Sequence, residues 1–287
     1  MRVAVKIIMF FSLLGSVATA TALAEERDAL ELVKVSTPVY RPELSSFEPR
    51  FGTYVYETSW QGIPAAELEV KVEPEQLRYR VIAKARTYRA IDLFYRLRYR
   101  AEGVISAVDF LPFRTVIDHH ENSRYTFTDI RFNKDGSVHT VRFKKGKGTK
   151  VKDFNPHNFM LDPFSAAFLA RSLRWKEGQS RVFDTYNGDT RYLITLTAKE
   201  RIKMKVNGEE KNVWVIMPKV VKLTTGKKNK KLRAAWIYVT DDNQRDILQI
   251  VSKVFIGSVK TKLVSFTPSS KPRPGTQVAQ TRRITFD

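Results

Sequence analysis

The chain reads as a mainly β protein: an antiparallel meander forming an open, strongly curved sheet or half-barrel with one amphipathic helix packed on it. Three observations predict this. Short runs rich in β-branched and aromatic residues recur from residue 51 to residue 266. The pairs Asp135-Gly136, Asn187-Gly188 and Asn207-Gly208 sit between such runs, and these dipeptides favour the positive-φ backbone of tight hairpins. Only one segment joins helical spacing to good start signals.

Taken in order, the chain opens MRVAVKIIMFFSLLGSVATATALA. Arg2 and Lys6 form a short basic region, Ile7 to Val17 an apolar one, and Ala22-Leu23-Ala24 a small-x-small site. This pattern predicts an export signal over residues 1–24, cut before Glu25. Its apolar stretch of about 11 residues is short of the roughly 20 needed to span a bilayer. Residues 25–50 carry Pro38, Pro42 and Pro49 without sustained periodicity and read as an extended leader.

The folded domain is expected over residues 51–266. Tyr54 to Trp60 is a strand ended by Gly62-Ile63-Pro64. Leu68, Val70 and Val72 alternate with charged residues, the period of a strand with one wet face. A turn at Pro74-Glu75-Gln76 leads to Arg78, Arg80, Val81 and Ile82. Arg96, Arg98 and Arg100 alternate with Leu97, Tyr99 and Ala101, so a strand there sets three guanidinium groups on one face. Lys144, Lys145, Lys147, Lys150 and Lys152 crowd one glycine-containing loop, and Lys227, Lys228, Lys230, Lys231 and Arg233 another.

The helix begins at Asp162, an N-cap, with Pro163 at the first helical position. Phe164, Ala167, Phe168 and Leu173 form its apolar stripe, Ser165, Arg171 and Arg174 take the other side, and Gly178 closes it. Strands are then expected over Trp214–Met217, Lys219–Leu223, Arg233–Val239, Ile247–Phe255 and Ser258–Phe266. From residue 267 the Pro/Ser/Lys/Arg-rich sequence reads as a disordered basic tail.

Composition bounds the function classes. There is no cysteine, which excludes disulfides, thiol catalysis, thiolate metal sites and lipid attachment at a cysteine. A net charge of +20 concerns partners, not fold. For an exported protein the polyanions to expect are anionic lipid, lipopolysaccharide or acidic glycan rather than nucleic acid. No later segment is long and apolar enough to act as a transmembrane segment.

Catalytic patterns are missing: no Gly-x-Ser-x-Gly, His-Glu-x-x-His, P-loop or Rossmann fingerprint occurs. His119 and His120 are adjacent, and on a strand they point to opposite faces, poor geometry for one metal. His157 has no nearby partner in sequence, and the four histidines, His139 among them, read as ordinary surface or loop residues. Asp241-Asp242 before Asn243 reads as a carboxylate-stabilised turn. No cofactor or metal is expected.

Several of these segments resemble the DUF3108 family of bacterial exported proteins of unknown function. Gly52-x-Tyr54 leading to Trp60-x-Gly62-Ile63-Pro64-Ala65 resembles its opening, and Asp162-Pro163-Phe164-Ser165 its middle. Ala235-Trp236-Ile237-Tyr238-Val239-Thr240-Asp241-Asp242, running on to Phe255-Ile256-Gly257-Ser258 and Leu263, resembles its end. By fold-level analogy the resemblance implies a ligand space between concave sheet and helix, beside Phe164 and Phe168, with Trp60, Trp214 and Trp236 as further lining. The Arg96, Arg98 and Arg100 row is the candidate for phosphate or carboxylate groups, which guanidinium pairs bidentately. The expected function is a periplasmic, non-enzymatic binding protein of envelope biogenesis, engaging an anionic lipid or glycolipid. Its rivals are an assembly factor docking an envelope protein partner and an unrecognised envelope hydrolase.

Overall fold

The computed structural model describes residues 35–156, 158–206, 208–223, 234–254 and 257–269. Residues 1–34, with the expected export signal and the start of the leader, His157, Asn207, the second lysine cluster, Phe255-Ile256 and the tail beyond residue 269 lie outside the described residues.

The first eight strands are β1 (Gly52–Trp60), β2 (Ile63–Glu75), β3 (Arg78–Thr87), β4 (Leu97–Ser106), β5 (Pro112–Glu121), β6 (Arg124–Phe132), β7 (Val138–Lys144) and β8 (Gly148–Phe154). Six follow: β9 (Ser180–Tyr186), β10 (Arg191–Val206), β11 (Glu209–Lys222), β12 (Ala234–Thr240), β13 (Ile247–Lys253) and β14 (Ser258–Pro268). A short helix, α1 (Arg89–Asp92), links β3 to β4, and α2 (Pro163–Ser172) lies between β8 and β9.

All fourteen strands form one antiparallel sheet, ordered β8-β7-β6-β5-β4-β3-β2-β1-β14-β13-β12-β11-β10-β9. Every neighbour is a sequence neighbour except β1 with β14, which joins the two ends of the meander. The consecutive strands β8 and β9 are therefore the two free edges, and the connection carrying α2 runs from one edge to the other. Register shifts at Val55/Tyr56, Thr58/Ser59, Val104/Ile105, Ala198/Glu200 and Tyr238/Val239 add local twist and bend the strands.

The hydrogen-bonded ladder does not close into a barrel, yet side chains cross the gap. The β9–β10 turn presses Gly188 against β6, where a Cβ on Gly188 would lie 2.4 Å from Thr128 Cγ2 and 3.0 Å from Ile130 Cδ1. Arg142 on β7 pairs with Asp189 in that turn, and Tyr186 meets Phe154 edge-on at 5.1 Å. Asp184 and Arg191, both with fully buried side chains, pair under this seam.

Helix α2 occupies the interior. Asp162 caps it, Oδ1 accepting from the Ser165 amide at 2.7 Å, while Oδ2 accepts from Thr115 Oγ1 on β5 at 2.5 Å. Phe164, Phe168 and Leu169 pack with Tyr54 and Tyr56 of β1, Tyr79 and Val81 of β3, Tyr99 and Ala101 of β4 and Phe183 of β9. The helix departs from expectation in two ways. It ends at Ser172, with Leu173 already extended, and Gly178 instead forms the turn into β9 at φ +75°. Ser165, expected on a wet face, is buried, as is Ser172, because the sheet curls round the helix rather than lying under it.

The described part of the leader, residues 35–50, packs on the fold. Phe47 is buried between the guanidinium groups of Arg171 and Arg245, 5.4 and 5.7 Å from its ring. Asp246 anchors this corner, accepting from Tyr54 at 3.0 Å and pairing with Arg50 and Arg171. The turn at Asp241-Asp242 has the expected chemistry: Asp242 Oδ1 accepts from the amides of Gln244 and Arg245. Trp214–Met217 and Lys219–Leu223, expected as two strands, form the single strand β11 across Pro218. Pairing with β12 stops at Ile216, so the amide hydrogen that Pro218 lacks has no ladder partner to lose on that side.

Candidate functional site

The residues singled out from sequence do not converge. Phe164 and Phe168 are 6% and 4% exposed, and a Cβ on Gly103 would lie 2.4 Å from the Phe164 ring. The contact between sheet and helix is therefore filled by side chains at that point. Trp60 packs on Val254 and Val259. Trp214 packs on Ala198, Ile216 and Val239, and its indole donates to Asp241 Oδ1 at 3.0 Å. Trp236 alternates with buried Ala235 and stands on the other face beneath the Lys253 ammonium.

The arginine row sits on the outer face. Leu97, Tyr99, Ala101 and Ile105 of β4 are buried, so Arg98 and Arg100 point away from the interior, and Arg96 precedes the strand, exposed. The mutual repulsion of such a row is offset by carboxylates of the chain itself. Arg98 pairs with Asp92 at 2.5 Å and Arg100 with Glu102 at 2.7 Å. Nearby, Arg80 pairs with Glu75 and Glu102, Lys84 with Glu69, and Arg86 with Glu67.

A second basic group faces inward. Residues directly opposite on neighbouring strands share a face of the sheet. Ile130 opposes Thr140 and Thr140 opposes Lys152; Thr128 opposes Arg142 and Arg142 opposes Lys150; Thr126 opposes Lys144. Since Thr128 and Ile130 meet Gly188 in the interior, Arg142, Lys144, Lys150 and Lys152 share that inner face. The rows grade from the apolar contact of Val138, Phe154 and Tyr186, through Thr140, to Lys144 at the rim. Lys144, Lys150 and Lys152, expected in a loop, thus belong to strands, and only residues 145–147 form the turn.

The inner rim is rich in cations, with Asp189 paired to Arg142 and Glu121 on the same face as His119. Burial holds the Lys144 ammonium below its usual range, and Arg142, Lys147 and Arg124 push it further down, with Asp189 opposing. His119 lies on the same face, opposite Tyr99 and Thr126. Burial also lowers its pKa below the ordinary imidazole value, so at neutral pH it is an uncharged group and the positive field comes from arginine and lysine. His119 Nε2 and the buried Thr140 Oγ1 have no hydrogen-bond partner among the described residues. An unmade bond at a buried polar atom costs about 1–3 kcal/mol, so the rim presents polar atoms and positive field to whatever occupies it. His119 and His120 do point to opposite faces: His120 pairs outward with Asp118 and stacks near Tyr125 at 4.3 Å.

Among the described residues there is no group of three or more His, Asp or Glu able to hold a metal ion, and no helix is long and apolar enough to cross a membrane. The inner row was detectable in principle, because Arg142, Lys144, Lys150 and Lys152 keep a period of two on either side of Gly146 and Gly148. Reading the two glycines as the middle of a long loop hides that period.

The family described as "Protein of unknown function (DUF3108)" matches residues 55–264. Among solved structures, a β-barrel-like protein of the domain of unknown function DUF1849 from Brucella abortus superposes with a TM-score of 0.53 at 10% identity, covering 78% of this chain and 100% of that one. A protein from Parabacteroides distasonis provisionally described as a lipoprotein gives a TM-score of 0.33 at 8% identity, covering 80% of this chain and 100% of that one. At such identities the first likeness concerns fold alone and the second carries no argument. No curated protein sequence matches the chain.

Proposed function

Because the chain belongs to the DUF3108 family, whose function is unknown, we propose from its own geometry that it is an exported, periplasmic, non-enzymatic binding protein of the cell envelope that takes the anionic headgroup of a lipid or glycolipid. One observation carries this reading: Arg142, Lys144, Lys150 and Lys152 share the inner face of the β7–β8 pair, where burial and neighbouring cations hold Lys144 below its usual pKa. A bound phosphate or carboxylate favours the charged ammonium and gains charge-assisted hydrogen bonds. The hydrophobic remainder of an amphiphile would follow the same face toward Val138, Phe154 and Tyr186. Support for export comes from the basic, apolar and small-x-small pattern of residues 1–24.

The test is native mass spectrometry with lipid extraction on protein purified from its own envelope. A stoichiometric anionic lipid or glycolipid is expected, and it should be lost from the Lys144→Gln/Lys152→Gln double variant. Protein that arrives empty and takes up no soluble short-chain anionic lipid overturns the proposal.

A further inference from the structure

The outer face of the same strands carries a different surface. Across β6, β7 and β8, Phe127 opposes Phe143 and Val141 opposes Val151, and the Tyr125 ring lies 6.1 Å from that of Phe143. Phe143 is 38% exposed and Val151 58%. Apolar side chains gathered on an exposed sheet face mark a contact surface. Here they adjoin β8, a free edge of the sheet.

The charge pattern selects the partner. Residues 142–152 contain Arg142 and five lysines and no acidic residue. Lys145 and Lys147 are exposed in the turn beside Phe143. Acidic side chains of this outer face are already engaged, Asp129 by Arg114 through two hydrogen bonds at 2.9 and 2.8 Å, Asp118 by His120, and Asp153 by His139 at 2.6 Å. Protein interfaces favour arginine and are depleted in lysine. Lysines on flexible stems, round an apolar patch, suit a diffuse layer of negative headgroups, with the stems lying along the apolar boundary. Edge protection alone is satisfied by Lys150 and Lys152 turned inward; it gives no reason for Phe143 and Val151 to face solvent.

The geometry points to the β7–β8 hairpin as a docking element for an anionic bilayer surface, with Phe143 and Val151 entering the headgroup boundary and Lys145 and Lys147 meeting the lipid charges. This inference does not depend on the inner face holding a ligand. It would, however, set the rim of that face against the membrane from which an amphiphile comes.

The experiment is co-sedimentation of the protein, purified from its own cells, with phosphatidylcholine vesicles prepared with and without phosphatidylglycerol. Binding is expected only with phosphatidylglycerol and should weaken with salt. Lys145→Glu/Lys147→Glu should lower affinity by more than tenfold, since each lysine near an anionic surface is worth roughly fivefold. Phe143→Ser/Val151→Ser should also lower it about tenfold or more; because Phe143 is only 38% exposed and covers Phe127, a modest drop in melting temperature accompanies it, and binding is compared well below the transition. The inner pair Lys144→Gln/Lys152→Gln should bind vesicles normally while losing copurified lipid, so failure of one proposal is distinguishable from failure of the other. Equal binding to both vesicle types overturns the inference, as does binding indifferent to both outer double variants. A self-association abolished by Phe143→Ser/Val151→Ser, with no vesicle binding, likewise overturns it and assigns the face to a second copy of the chain.

Discussion

Replacing Gly103 by alanine tests the placement of the helix inside the sheet. Gly103 lies in the middle of β4 and is not among the positive-φ glycines, so alanine meets no backbone penalty there. Reduced freedom of the unfolded chain would by itself stabilise the protein by about 0.4–1 kcal/mol. Against this stands the contact of the new Cβ with Phe164 Cδ2 at 2.4 Å, Cε2 at 3.1 Å and Asp162 Oδ2 at 3.3 Å. The ring cannot swing aside cheaply, since Phe164 is buried and the helix start is pinned by Asp162 to Thr115 and to the Ser165 amide. Overpacking of this kind costs about 1–3 kcal/mol, and in a domain of this size each kcal/mol moves the melting temperature by about 2–4 °C. With the entropic gain subtracted, the net loss is at most about 2.6 kcal/mol, so calorimetry or thermal circular dichroism should show Gly103→Ala melting lower by a few degrees, up to roughly 10 °C. In a Phe164→Leu background the same alanine should cost less, with a coupling of about 1 kcal/mol, as expected for residues in contact. A melting temperature equal to or above that of the parent, or strictly additive variants, would refute the reasoning, because the helix would then not rest on β4 at this point.

Other consequences follow from the buried charges and the seam. Asp184→Ala leaves the Arg191 guanidinium, now fully buried against Asp184, without its carboxylate and should destabilise by about 3–5 kcal/mol in denaturant titration; changing both residues to apolar ones of similar size should recover much of the loss. Burial raises the Asp162 carboxyl above its usual 3.8, so the folded state holds that proton more tightly than the unfolded one. Its stabilising contribution is full below the ordinary aspartate pKa and is lost as pH rises through the raised folded value. Melting curves across that window should accordingly be flatter for Asp162→Asn, which keeps an oxygen for the Ser165 amide. His119 runs the other way: its pKa is lowered by burial, so stability should fall as pH drops below the ordinary value of 6.5, and His119→Gln should remove that part of the slope. Gly188→Ala should open the seam, since φ +86° disfavours alanine and its Cβ meets Thr128, and a rise in hydrogen exchange over β6 and β9 would report it.

The succession of strands was legible in the sequence because hairpin turns and the two-residue period are local properties. Asp135-Gly136 lies in the β6–β7 turn and Asn187-Gly188 in the β9–β10 turn, and Asp162-Pro163 starts the helix where capping chemistry places it. The alternation of Arg98 and Arg100 with Leu97 and Tyr99 likewise established that the arginines share a face. It left open which face, and whether anything opposed their charge. Those matters belong to the tertiary structure. Glu67, Glu69, Glu75 and Asp92, which together with Glu102 neutralise the basic residues of that outer face, are contributed by β2, by α1 and by the same sheet's register. The inner cations were hidden for the opposite reason. Lys144 and Lys152 look like loop residues one by one, and they acquire a common direction only when β7 and β8 pair in register across residues 145–147. The side-chain seam that holds the open sheet round α2 was equally beyond sequence. It rests on Gly188 against β6 and on Gly103 against Phe164, contacts between residues far apart in the chain, where the space available to a side chain is set by what the rest of the fold brings opposite it.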